Sequence, residues 1–344
     1  MGDPVTSLKE IAALYGLKIK FAERFGRVYK IYTDQGEFAL KRINANRGID
    51  FLQYVQQLYQ RGYYRIVPIY PTLDGRYAVL SGNSLYYLMP WLENREREGQ
   101  FKKNQELFRE LARLHTISAR EVEVSPDDRK KHYEQTLSRW EKEKEGLEQF
   151  VERSEKTWYM SPFQLLFCSC YHEIALAQGY ALGKLKEWYE LTKDEKKARS
   201  VIIHGKISPE HFLYHESGFG YFANFEKTGT ASPIHDLLPF LARTMETYPK
   251  QFDECIDWLH IYFKYFPFRK EEMLLFLSYL AQPGKMFQIV ETYYAAGKEK
   301  HELKFVQELQ RQYWYMKNTE YIVMRLEEYE RQMQDPGESP PSDS

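Results

Sequence analysis

Over about the first ninety residues, apolar positions recur at every second place in short runs broken by turn residues. Leu17-Lys-Ile-Lys-Phe21 alternates, Arg27-Val-Tyr-Lys-Ile-Tyr32 and Glu37-Phe-Ala-Leu-Lys-Arg-Ile43 are strand-like apolar runs, and Thr33-Asp-Gln-Gly36 separates the last two. Alternation gives each run one core-facing side, so the spacing predicts strands, with the central pair joined as a hairpin. From Asp50 to Tyr59 the period lengthens to helical spacing, and Gly62 ends it. Tyr77–Leu80 and Leu85–Met89 then return to strand character after the Asp74-Gly75 turn.

Beyond Met89 the pattern is mainly helical. Leu107, Phe108, Leu111 and Leu114 form one stripe within 104–118, and 130–155 and 162–191 are long helical patterns. An apolar strand-loop-strand unit over 201–226 interrupts them, and helices resume from 236 to about 332. This order predicts an α+β protein: a small antiparallel-sheet lobe over 1–92, a mainly helical lobe over 93–332, and a polar, Pro-rich tail over 333–344 that is expected to be disordered. No internal repeat is visible.

Composition narrows the function classes. The 344 residues carry 48 basic and 49 acidic side chains, a formal net charge of −1, with no basic block. That balance argues against a dedicated binder of nucleic acid or of an anionic membrane surface. The opening Met1-Gly-Asp-Pro-Val-Thr6 lacks the basic and apolar segments of a signal peptide, and no later run is long enough to span a bilayer, so the chain is expected to be made and kept inside a cell. Three cysteines make no disulfide framework. Cys168 and Cys170 fall on a helical pattern, where positions two apart point about 200° from each other, so no metal site is expected there. The 28 tyrosines form clusters such as Tyr63-Tyr64 and Tyr313-Trp314-Tyr315, read as core and helix-interface residues with one wet end.

Candidate chemistry concentrates in Val201-Ile-Ile-His-Gly-Lys-Ile-Ser-Pro-Glu-His-Phe-Leu-Tyr214 and Phe219-Gly-Tyr-Phe-Ala-Asn-Phe-Glu226. A strand runs into His204-Gly205, a short loop follows, and a second strand ends in Asn224-Phe225-Glu226. The layout resembles the aminoglycoside phosphotransferase and choline kinase group, whose loop reads His-Gly-Asp-x-x-x-x-Asn and whose metal loop reads Asp-x-Asp or Asp-x-Glu. Within that group the chain is most similar to the kinase-like, CotS-like spore coat proteins of endospore-forming bacilli. The resemblance extends from the first strands to about residue 330 and implies a two-lobed, protein kinase-like fold.

The same resemblance places substitutions at the reactive positions. Phosphotransferase centres need an Asp to orient the nucleophile, and an Asn and a second Asp to hold Mg²⁺. Lys206, His211 and Asn224 stand there, leaving Glu226 from the metal pair. A protonated lysine cannot accept the hydrogen bond that orients a hydroxyl, and imidazole suits softer ions than Mg²⁺. With a lysine about 5 Å from Mg²⁺ at an effective dielectric near 20, repulsion is on the order of 6 kcal/mol. Glu226 is expected to pair with Lys206. Lys41 fits the nucleotide-binding lysine of a small lobe, but the helix after it offers glutamines where a glutamate partner is expected. Ala22-Glu-Arg-Phe-Gly-Arg27 reads as an ordinary hairpin turn, having one glycine where a phosphate-covering loop needs several. His204 is expected to hold the loop, and Asp236 to cap the helix that follows while bonding to loop amides.

These readings lead to a non-catalytic, kinase-like protein with a degenerate centre at Lys206, His211, Asn224 and Glu226, and with neither cofactor nor metal. The resemblance implies spore coat proteins as partners. Two alternatives remain: an atypical kinase of a small molecule or protein that uses Lys41, Glu226 and a neutral Lys206, and a sensor that binds ATP through Lys41 without metal.

Overall fold

The computed structural model describes residues 4–92, 99–215, 218–297 and 301–334, so the tail expected to be disordered lies outside the described residues from 335 on. The chain forms two compact units, one of Met1–Ala119 with Val201–Ala231 and the other of Arg120–Ser200 with Ser232–Ser344.

In the first unit, five strands, β1 (Ile19–Phe25), β2 (Val28–Thr33), β3 (Glu37–Asn44), β4 (Val79–Ser81) and β5 (Ser84–Pro90), form an antiparallel sheet in the order β1-β2-β3-β5-β4. The period-2 pattern is what divides its faces. Tyr29, Ile31, Leu40 and Leu88 point to a core shared with Leu8, Ile11, Ala12 and Tyr15 of the N-terminal segment, most of which is helix α1 (Pro4–Ala13). Val28, Ala39, Lys41 and Met89 alternate with them and line a cleft on the other face. Helix α2 (Phe51–Gln60) buries Phe51, Leu52, Val55 and Leu58 on one stripe, and helix α3 (Gly99–Ser118) completes this part.

Strand β7 (Lys197–Ile203) leads into the His204-Gly205 loop, and its last three residues pair with β10 (Gly229–Ala231). Between them, β8 (Phe212–Tyr214) and β9 (Gly220–Phe222) make a short hairpin in which Phe212 packs on Phe222. Its docking is specific, because the Val67 amide donates to the Phe222 carbonyl and the Phe222 amide to the Arg65 carbonyl.

The second unit is mainly helical. Strand β6 (Arg120–Glu123) pairs with the start of β7, and α4 (Pro126–Glu155) and α5 (Pro162–Thr192) form a long antiparallel pair. Both begin where the sequence says they should: Ser125 and Ser161 cap them, each with proline at the start of the helix, and Ser161 and Gln164 form a reciprocal capping box. Helices α6 (Ile234–Met245), α7 (Asp253–Tyr265), α8 (Lys270–Ala281), α9 (Met286–Ala295) and α10 (Glu302–Gln334) follow. Phe150, Phe163, Phe167, Tyr293 and Leu309 centre one core of this unit. Among the described residues no helix is long and apolar enough to cross a membrane.

Candidate functional site

All five residues singled out from the sequence, Lys41, Lys206, His211, Asn224 and Glu226, line one cleft of about 920 Å³ within the first unit. Lys41 arrives there from β3, where it pairs in register with Tyr87 of β5. The others come from the segment between β7 and β10. Gly205 makes that segment possible: its φ is +76°, and an added Cβ would lie 2.1 Å from the Lys227 carbonyl oxygen.

The polar groups form one continuous chain. Lys41 Nζ lies 2.6 Å from Glu226 Oε1 and donates to Asn224 Oδ1 at 2.5 Å. Tyr87 Oη donates to the same Glu226 oxygen at 2.7 Å. The amide nitrogen of Asn224 donates to His211 Nε2 at 2.8 Å, so Nδ1 carries the ring proton and donates to the Lys206 carbonyl at 2.9 Å. His211 is thereby a neutral imidazole with both nitrogens engaged. Burial pushes its basicity below the ordinary histidine value; the bond to the Lys206 carbonyl opposes this, and the charges of Lys206 and Lys41 add to it.

Lys41 is held below the ordinary lysine value chiefly by burial. The Glu226 carboxylate acts against that shift, and the cations Lys206 and Arg27 reinforce it. Burial, together with the adjacent Glu226, raises the Tyr87 phenol well above its ordinary value. Asn224 adopts φ 72° and ψ 48°, the sole non-glycine residue with positive φ among the described residues. Asparagine tolerates this left-handed region better than most side chains, and the turn aims its amide between Lys41 and His211.

His204 acts as a strut, as the sequence suggested. It is fully buried, donates from Nε2 to the Ala223 carbonyl at 2.8 Å, accepts the Lys206 amide at Nδ1 and packs edge-on against Phe225. Two expectations are corrected. Glu226 pairs with Lys41, while Lys206 is exposed and makes no ion pair among the described residues; strand pairing delivers Lys41 and Tyr87 together to the carboxylate, whereas the loop turns the Lys206 side chain outward. Asp236 does not precede its helix. Pro233 occupies the cap of α6, and Asp236 lies buried inside the first turn. The turn between β1 and β2 is a tight Gly26-Arg27 hairpin, with Phe25 pairing with Val28.

Sequence reasoning missed Tyr87 as a partner of Glu226, and the cations Arg27 and Lys227 in the cleft wall. The alternation of β5 could have placed Tyr87 on the Met89 face. It could not have shown which strand lies beside β3.

Divalent-metal binding does not fit these side chains as they stand. The lone pair of His211 Nε2 is used by Asn224, Asn224 Oδ1 by Lys41, and Glu226 Oε1 by two donors. The wall carries Arg27, Lys41, Lys206 and Lys227 against only Glu210 and Glu226. No group of three or more His, Cys, Asp or Glu side chains suited to a metal is found among the described residues.

A five-stranded antiparallel sheet presenting a lysine to a His-Gly loop, with a helical unit beside it in sequence, defines a kinase-like α+β fold. The chain belongs to the phosphotransferase enzyme family (APH), which matches residues 22–265. Among solved structures, an aminoglycoside phosphotransferase from Alicyclobacillus acidocaldarius is similar to it at 16% identity and a TM-score of 0.69, over 94% of this chain and 96% of that one. The AMP-bound spectinomycin phosphotransferase APH(9)-Ia is similar at 14% identity and a TM-score of 0.52, over 93% and 98% of the two chains. No curated protein matches the sequence. At such identities the likeness speaks for the fold.

Proposed function

We propose that this chain is a non-catalytic member of the phosphotransferase family, a pseudokinase that serves as a binding or scaffold component. The observation that carries this reading is the continuous chain of hydrogen bonds from Tyr87 and Lys41 through Glu226 and Asn224 to His211. It engages Glu226 Oε1, Asn224 Oδ1 and His211 Nε2, the atoms a metal would draw on first, and Lys206 supplies a cation where a proton acceptor is required. Sequence resemblance to the CotS-like proteins makes the spore coat the proposed place of work and coat proteins the proposed partners.

Phosphate transfer from ATP with Mg²⁺ to aminoglycosides, to choline and to the protein itself should be undetectable. Turnover that Asn224→Ala abolishes would overturn the reading.

A second reading draws on the cleft itself: four cations against two carboxylates beside the apolar walls Val28, Ala39 and Met89. These are the features of a site for a nucleotide without its metal. Thermal stabilisation by ATP in the presence of EDTA supports this sensor, and stabilisation only when Mg²⁺ is added supports a working kinase.

A further inference from the structure

A second cavity, of about 590 Å³, lies within the helical unit, between the start of α4, the end of α5, the paired strands β6 and β7, and α8. None of its lining residues belongs to the candidate site. Its wall contains Arg129, which is only 6% exposed. Nη2 of Arg129 donates to the carbonyls of Glu195 and Lys197 at 3.1 and 3.3 Å, while its Nε has no partner. Glu195 and Glu271 act on it through space, but no carboxylate makes an ion pair with it among the described residues.

That is an unusual condition for a buried cation, which is normally paired. The other arginines in the same wall are answered: Arg199 by Glu272 and Arg269 by Glu121. Tying two carbonyls together explains Nη2 of Arg129. It leaves Nε sealed inside the protein without a partner, and it leaves unexplained why this guanidinium borders a cavity whose remaining wall includes Trp188, Leu191 and Leu275.

We propose that this cavity binds a small organic monocarboxylate with an apolar body, the carboxylate answering the Arg129 guanidinium and the body lying against Trp188, Leu191 and Leu275. The planar guanidinium matches a carboxylate in shape as well as charge. The wall as a whole carries Glu121, Asp128, Glu195, Glu271 and Glu272 against four cations, so a second negative charge on the ligand meets repulsion. Each further charge adds to that repulsion, so a monoanion is favoured over phosphate monoesters and nucleotides. The volume falls within the range of about 300–1,000 Å³ typical of small-molecule sites.

Calorimetric titration of the full chain with 3-phenylpropionate and with its uncharged amide tests the proposal. The acid should bind with a sub-millimolar constant, and the amide at least about tenfold more weakly. No binding of the acid at about 10 mM, or equal affinity for acid and amide, overturns it. Arg129→Lys keeps the charge and loses the planar fork, and should weaken the acid about tenfold while leaving the amide unchanged. If that variant does not fold, Leu191→Glu serves in its place, since Leu191 is 44% exposed at the rim. A carboxylate there should abolish binding of the acid, and unchanged affinity would place the ligand elsewhere and refute the assignment.

Discussion

Lys41 and Glu226 form a buried ion pair, Nζ to Oε1 at 2.6 Å, with side chains 12% and 9% exposed. Glu226→Ala strands the ammonium and should cost roughly 3–5 kcal/mol. Lys41→Met should be milder, because Tyr87 still donates to the carboxylate. The double variant should cost less than the two single changes together. Lys206 is exposed, and Lys206→Met should stay within about 0.5 kcal/mol of the parent. Urea denaturation of the five proteins checks this. Strict additivity of the first two changes, or a loss at Lys206 as large as at Lys41, would show that the pair does not hold the site.

Tyr87→Phe isolates the other donor. Its phenol is 2% exposed and donates to a charged oxygen, a bond worth roughly 1.5–3 kcal/mol. The loss should shrink markedly in a Glu226→Gln background, where the acceptor is neutral. Equal losses in both backgrounds would assign the effect to packing alone.

The strands and long helices were legible because their apolar periods are local: β2, β3, β5, α4 and α5 fall close to where alternation or helical spacing puts them. Helix α1 is marked by the spacing of Leu8, Ile11 and Ala12, which an expectation of strands from Leu17 onward leaves out. The site was legible as a set of positions, because the His204-Gly205 loop and the Asn224-Phe225-Glu226 end have fixed sequence spacing. Their pairing was not. Because β5 lies between β3 and β4 in the sheet, Tyr87 sits beside Lys41 and both reach Glu226, and strand order of that kind leaves no trace in local periodicity. His211 is a loop histidine held by a backbone group, the Lys206 carbonyl, as well as by the Asn224 side chain.

Gly205 should tolerate no side chain. A left-handed φ of +76° costs an L-residue about 1–2 kcal/mol, and a Cβ 2.1 Å from the Lys227 carbonyl oxygen forces the backbone apart at about 1–3 kcal/mol more. Gly205→Ala should therefore lose roughly 2–5 kcal/mol in chemical denaturation. Gly26→Ala offers the contrast: its φ is +60°, yet nothing lies within 4 Å of the added carbon, so only the conformational part of the loss is expected. Similar losses at the two positions would mean that the loop yields to the clash.

His211 gives the site a pH dependence with a definite sign. In the folded protein its Nε2 accepts a hydrogen from Asn224, and protonation would set two N–H groups against each other. Burial therefore holds the folded imidazole below the 6.5 expected for the unfolded chain. As pH falls through 6.5 the unfolded chain takes up the proton first, so stability present above that value is lost until the folded imidazole also protonates. His132 and His260 are lowered by burial as well and contribute in the same direction, so the useful quantity is the difference between the parent and His211→Gln. The glutamine carbonyl can still accept from Asn224 but does not titrate. Unfolding free energy measured from neutrality to about pH 5 should fall less steeply in the variant, and the two curves should run parallel above pH 7. Equal acid slopes would mean that His211 protonates in the folded protein as readily as in the unfolded chain, and that the bond from Asn224 does not hold its Nε2.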